Sequence, residues 1–169
     1  MDSTLVKSFA VLLQAGLREI HRLEDTKEVS KEALRLFKTS VSYNIRWMSL
    51  EGTYDASEAA MKLFEGKYDL HKLTYKDQIK AEKTVNPSIK KRTLLKLEHK
   101  TCVADIFDKL LACDGSLHTI QEILESMQIV WVLVQEDKKL KVSGRGDAHD
   151  EAYTAAGIVV VKNTKRTSP

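Results

Sequence analysis

The sequence predicts a mainly α-helical α+β fold, a helical-bundle body followed by a small C-terminal β-hairpin or sheet. Three observations predict it. Apolar residues recur at steps of three and four through most of the chain up to Met127. Only 7 Gly and 2 Pro interrupt the 169 residues, which favours long helices over many short strands. Two late runs, 129–134 and 157–161, are instead continuously apolar and β-branched, as buried strands are. With 43% hydrophobic and 30% charged residues, the chain is expected to form one domain over 1–169. Within it, 1–67 reads as a helical body and 68–100 as a basic helical segment. Residues 101–162 read as a helix plus small sheet, and 163–169 as a basic tail.

The first helix is predicted from about Thr4 to Leu23. Leu5, Phe9, Leu12, Leu13, Gly16, Leu17 and Ile20 share an arc opposite Lys7, Gln14, Arg18 and Arg22. Asp25 and Glu28 have capping-box spacing and open a second helix to about Met48, which buries Leu34, Phe37, Val41, Ile45 and Met48. Asp55 and Glu58 repeat the signal before a short helix that Gly66 closes. Lys72, Lys76, Lys80 and Lys83 step by helical intervals and form a lysine ridge. Asn86-Pro87-Ser88 breaks it, because proline disfavours helix at the residue before it and suits a first helical turn. The next helix carries Lys90, Lys91, Arg92, Lys96 and Lys100, and its stripe turns from basic to apolar near residue 101.

Asp114-Gly115 stops that helix and Ser116 caps another, with Ile120, Ile123, Leu124 and Met127 inward. The apolar strand 129–134 follows, with Glu136–Lys139 turning it towards a partner at Leu140 to Ser143. Over 102–143 this order resembles a winged helix-turn-helix. Its second helix carries Glu122 and Glu125 and no basic residue, which suits protein contact better than phosphate contact.

Charge is unevenly divided. Residues 68–100 hold 9 basic and 4 acidic side chains, whereas 101–136 hold 1 and 6. Lysine and arginine on one helical face can track phosphates and release their counterions. The candidate nucleic-acid-binding residues are therefore Lys72, Lys76, Lys80, Lys83, Lys90, Lys91, Arg92, Lys96 and Lys100. Tyr68 and Tyr75 are the only aromatic residues interleaved there, so a backbone contact is expected rather than base stacking. The competing expectation is a solvated face, or one that meets an acidic protein surface. Arg92 and His99, seven apart in a basic helix, look like the Arg-x6-His motif of HEPN-type ribonucleases. That resemblance implies arginine against phosphate and histidine in acid–base work. Thr93 stands where the family usually has Asn, Asp or His after the arginine.

Cys102 and Cys113, eleven residues apart in one helix, lie too far apart for a disulfide and read as core, as do Trp47 and Trp131. Asp147, His149, Asp150 and Glu151 crowd one loop but match no metal-ligand spacing, and no cofactor motif is present. Arg145-Gly146-Asp147 is the tripeptide that adhesion receptors read, which a chain without a secretory signal would not meet. No run reaches the ~20 apolar residues of a membrane span. A cytoplasmic setting is expected, with a nuclear one as the alternative. The apolar strand and the charge division also lead us to expect a homo-oligomer. The sequence thus reads as a non-catalytic regulatory protein that contacts nucleic acid, RNA before DNA. An interaction adaptor without nucleic-acid binding is the second reading, and a HEPN-like ribonuclease using Arg92 and His99 the third.

Overall fold

Helical periodicity and the β-branched runs are both realised, and the protein is a mainly helical α+β structure. The computed structural model describes residues 3–26, 29–48, 50, 52, 54–140 and 149–164. In chain order come α1 (Ser3–Thr26), α2 (Lys31–Met48), β1 (Asp55–Ser57), α3 (Glu58–Phe64), a 3-10 turn (Leu70–Lys72) and α4 (Gln78–Val85). Then follow β2 (Leu95–His99), α5 (Val103–Ala112), α6 (Leu117–Glu125), β3 (Ile129–Leu133), α7 (Val134–Asp137), α8 (His149–Ala155) and β4 (Val160–Val161). They group into two compact units, each built from two stretches of chain. One holds Met1–Leu50 and Val103–Met127, the other Glu51–Cys102 and Gln128–Pro169.

The helical unit is a ring of four contacts: α1 with α2, α2 with α5, α5 with α6, and α6 with α1. In α1 the buried residues are Val6, Ala10, Leu13, Leu17 and Ile20, stepping 4, 3, 4 and 3. Leu12, expected inside, is exposed, because it sits one residue and hence about 100° from the centre of that stripe. Gly16 has a packing reason: a Cβ there would stand 3.2 Å from Val41 Cγ2 on α2. In α2 the expected Val41, Ile45 and Met48 are buried, and Leu34 and Phe37 are half-buried. Trp47, expected in the core, is exposed.

Between α5 and α6 the chain turns through Gly115 at φ 70°. The Gln14 side-chain amide donates to the Gly115 carbonyl at 2.7 Å and ties this turn to α1. Asp114 accepts the Ser116 N–H, and Ser116 Oγ accepts the Thr119 N–H at 3.1 Å, so two of the first turn's donors are satisfied. The Ser116 N–H, with the Thr119 hydroxyl, holds the Asp114 carboxyl below the usual carboxylate range. Its stabilising share is present above the unfolded carboxylate pKa and is lost as pH falls through the lowered folded value. Ser116→Ala should cost about 1 kcal/mol of unfolding free energy, measured by urea titration. No change would mean that the cap is frayed.

The second unit is built on a mixed sheet of order β2-β3-β1-β4. β3 runs parallel to β1 and antiparallel to β2, and β4 is antiparallel to β1. Trp131 is central, opposite Leu97 on one side and Ala56 on the other. On one face of the sheet Val130 and Val132 pack with Leu140, Tyr153 and Ile158. On the other, Trp131 meets the Tyr54 ring edge-on at 6.3 Å and donates from its indole N–H to the Leu73 carbonyl. Both faces of β3 are therefore covered within one chain, and the uncovered strand that favoured a second copy is not found.

Several expected elements differ. The helix expected from Ser88 into 100 is instead an extended leg leading into β2. Asp55 and Ala56, read as a helix start, form β1, and Ser57 both ends that strand and caps α3 through the Ala60 N–H. Glu136 lies in the single-turn α7, where its carboxylate accepts the Leu133 N–H and the buried Ser57 hydroxyl. His149, Asp150 and Glu151, read as part of a loop, open α8. The strand expected over 157–161 is reduced to two residues. After α6 the chain enters the sheet between β2 and β1, and Leu140 closes a turn. Lys141–Ser143, the Arg145-Gly146-Asp147 tripeptide and most of the basic tail lie outside the described residues.

Candidate nucleic-acid interface

The nine candidate cations all belong to the sheet unit, but not to continuous helices. Lys72 closes the 3-10 turn, 3.6 Å from the Asp69 carboxylate, and Lys76 lies in the turn after it. Lys80 and Lys83 project from α4, opposite its buried face of Gln78, Ala81 and Glu82. Lys90, Lys91 and Arg92 are exposed on the leg between α4 and β2. Of the nine, only Lys80 and Lys83 stand on an α-helix.

The local sequence explains the reversal. α4 ends at Val85, where Asn86-Pro87 cannot continue it, and the Asn86 side chain accepts the Ser88 N–H. Ile89 is buried and anchors the turn. The chain then runs back along α4, held by one buried carboxylate. Glu82 accepts hydrogen bonds from the Thr93 N–H at 2.8 Å, the Leu95 N–H at 3.0 Å and the Gln78 amide at 2.8 Å. Gln78 also donates to the Leu95 carbonyl at 2.7 Å, so side chains of α4 close the start of the edge strand β2. Farther back along the leg, the Arg92 guanidinium lies 3.9 Å from the centre of the Tyr75 ring and donates to the Tyr75 carbonyl. This contact joins the leg to the turn that carries Lys76.

The result is a separation of charge by direction. Between residues 72 and 92 there are seven basic side chains and two acidic ones. All seven cations are exposed. Glu82 is buried in its hydrogen bonds, and half-buried Asp77 accepts the Thr74 hydroxyl. The carboxylates organise the fold and the ammonium and guanidinium groups face water.

Two candidates separate from this set. Lys96 on β2 pairs with Asp137 at 2.8 Å and approaches Glu98 at 3.9 Å. Lys100 is largely buried, paired with Asp150 and 5.5 Å above the Tyr153 ring. The geometry implied by the ribonuclease resemblance is absent, because Arg92 lies on the extended leg and His99 ends a strand, so they share no helical face. Cys102 and Cys113 flank α5, are half-buried and are free thiols. Among the described residues no His, Cys, Asp or Glu cluster could hold a metal ion, and no helix is long and apolar enough to cross a membrane.

Sequence reasoning missed the roles of Gln78 and Glu82. Their signal is present: two polar residues four apart on the same helical face as Ala81. Compared with protein-family models, curated proteins and solved structures, the chain matches none.

Proposed function

We propose that this is a non-catalytic nucleic-acid-binding protein that holds the phosphate backbone on the surface formed by α4 and the returning leg 90–92. The observation that carries the reading is the outward display of Lys72, Lys76, Lys80, Lys83, Lys90, Lys91 and Arg92 while the carboxylates between them turn inward. RNA is favoured over duplex DNA. DNA sequence is read by an element laid in the major groove, and the helix-turn-helix formed by α5 and α6 presents Glu122 and Glu125. Phosphate contacts without such an element suit shape and backbone recognition. Lys96 and Lys100 stay outside the proposed surface, since Lys96 is held closely by Asp137 and Lys100 is largely buried against Asp150, whereas the contact of Lys72 with Asp69 is long and exposed.

The test is fluorescence anisotropy with a mixed-sequence single-stranded RNA over a salt series. Changing Lys80, Lys83, Lys90, Lys91 and Arg92 together to Gln should weaken binding on the order of a hundredfold. It should also flatten the salt slope by up to about 3.5, at ~0.7 per phosphate contact on single strands. The control Lys96→Gln should leave the slope unchanged, and the RNA should be recovered uncut. Parent-like binding by the five-site variant at moderate salt would reduce the surface to a solvated face. Metal-independent cleavage lost in His99→Ala would overturn the non-catalytic part.

A further inference from the structure

Arg92 differs from the lysines that share the basic surface with it, because a guanidinium has a flat face and an ammonium has none. One side of that face is taken. It lies over the Tyr75 ring, 3.9 Å from the ring centre, and Nη2 donates to the Tyr75 carbonyl at 3.2 Å. Among the described residues no carboxylate engages Arg92. The residue is exposed, so the other side of the plane is open to water. Lys100 provides the contrast within the same unit. It stands 5.5 Å above the Tyr153 ring, but it is largely buried and paired with Asp150.

Both halves of the Arg92–Tyr75 pair are anchored. On the leg, Ile89 is buried three residues before Arg92, and the Thr93 N–H directly after it is bound to Glu82 at 2.8 Å. Tyr75 is half-buried in a turn closed by the Asp77 N–H on the Thr74 carbonyl and by the Thr74 hydroxyl on the Asp77 carboxylate. Arg92 therefore has less rotamer freedom to lose on binding than a lysine standing free in water.

From this we infer that the outer face of the Arg92 guanidinium stacks against one unpaired base of the bound strand, while the lysines around it hold phosphates. The inference rests on the nucleic-acid proposal and gives it a selectivity, for single-stranded or looped RNA over duplex. Unpaired bases stack on guanidinium planes as they do on aromatic rings, whereas bases in a duplex are already stacked on one another. Tyr75 is a positioning residue here, its ring covered by Arg92. The other use of Arg92, as a fork on a phosphate, would treat a strand with bases and one without them alike.

The test competes unlabelled strands of about 12 nucleotides against a labelled RNA and reads fluorescence anisotropy. The strands are mixed-sequence single-stranded RNA, an abasic ribose-phosphate strand of the same length, and duplex RNA of the same sequence. The parent should bind the base-bearing single strand about fivefold to tenfold more tightly than the abasic one, the lower end of what one stacked base contributes. The preference should persist across the salt series, because stacking releases no counterion. Arg92→Lys keeps the charge and loses the plane. It should bind both single strands at the abasic level and leave duplex affinity unchanged. Tyr75→Phe keeps the ring and should retain the preference. Tyr75→Leu should lose most of it while far-UV circular dichroism matches the parent. Equal binding of the base-bearing and abasic strands by the parent overturns the inference. So does an equal loss on both in Arg92→Lys, the mark of a phosphate fork. Either result leaves the nucleic-acid proposal standing on its salt slope, whereas a parent with no salt-dependent binding removes both.

Discussion

Glu82→Ala is expected to destabilise the sheet unit by roughly 3–5 kcal/mol, because three neutral donors lose their acceptor at about 1–3 kcal/mol each. The carboxylate is fully buried and accepts from two backbone N–H groups and the Gln78 amide. With it gone, the Thr93 and Leu95 donors and one Gln78 N–H lose their acceptor, and an unpaired buried donor costs about 1–3 kcal/mol. Urea unfolding followed by far-UV circular dichroism measures the loss. Glu82→Gln discriminates further, because it keeps one acceptor oxygen but turns an NH2 group towards donors. It should fall between parent and alanine in stability. Because Thr93 and Leu95 hold the leg that presents Lys90, Lys91 and Arg92, it should also lower the salt slope for RNA without removing a cation. A stability loss under about 1 kcal/mol for Glu82→Ala would show that the leg is held by other contacts, since that is the size of one ordinary hydrogen bond.

What could be read from the sequence follows from how local each element's cause is. Helices α1, α2 and α6 have their cause in their own residues: a stripe at steps of three and four, and for α6 the Ser116 cap. β3 is legible for the same reason, as five consecutive residues favouring a buried strand. β1 is not. Asp55-Ala56-Ser57 has no β-branched residue and becomes a strand because β3 and β4 pair with it from both sides. β2 is hidden differently. Leu95, Lys96 and Leu97 alternate, but the stripe of Arg92, Lys96, His99 and Val103 has helical spacing and is longer. The buried Glu98 also breaks the expected polar-out pattern.

The candidate site divides along the same line. That residues 72–92 are basic and exposed could be read directly, since charge depends on composition alone. Which cations belong together could not, because the return of Arg92 onto Tyr75 depends on contacts seventeen positions apart. Lys96 and Lys100 look like the others in the sequence, as their partners Asp137 and Asp150 lie far along the chain. Trp47 is exposed although large aromatic residues are usually buried, because its angle on α2 relative to Val41 and Ile45 points away from the core.

Trp131→Ala is expected to cost about 3–5 kcal/mol, the range for truncating a large buried aromatic residue. Trp131 heads the fully buried side chains and sits in the middle strand of the sheet. Its removal opens a cavity beside Tyr54 and leaves the Leu73 carbonyl without the indole donor. Trp131→Phe separates the two effects. It refills most of the space and forfeits the hydrogen bond, so it should cost less than the alanine change. Leu73 lies between Lys72 and Lys76, and the lost indole bond is one that fixes the turn carrying them and Tyr75. The phenylalanine variant should therefore weaken RNA binding modestly under conditions where its circular dichroism matches the parent. Far-UV circular dichroism is the right stability probe, since one of the two tryptophans is removed. Equal stability losses for the two variants would assign the effect to the hydrogen bond rather than the packed ring. A parent-like midpoint for Trp131→Ala would mean that the sheet unit is organised around some other residue.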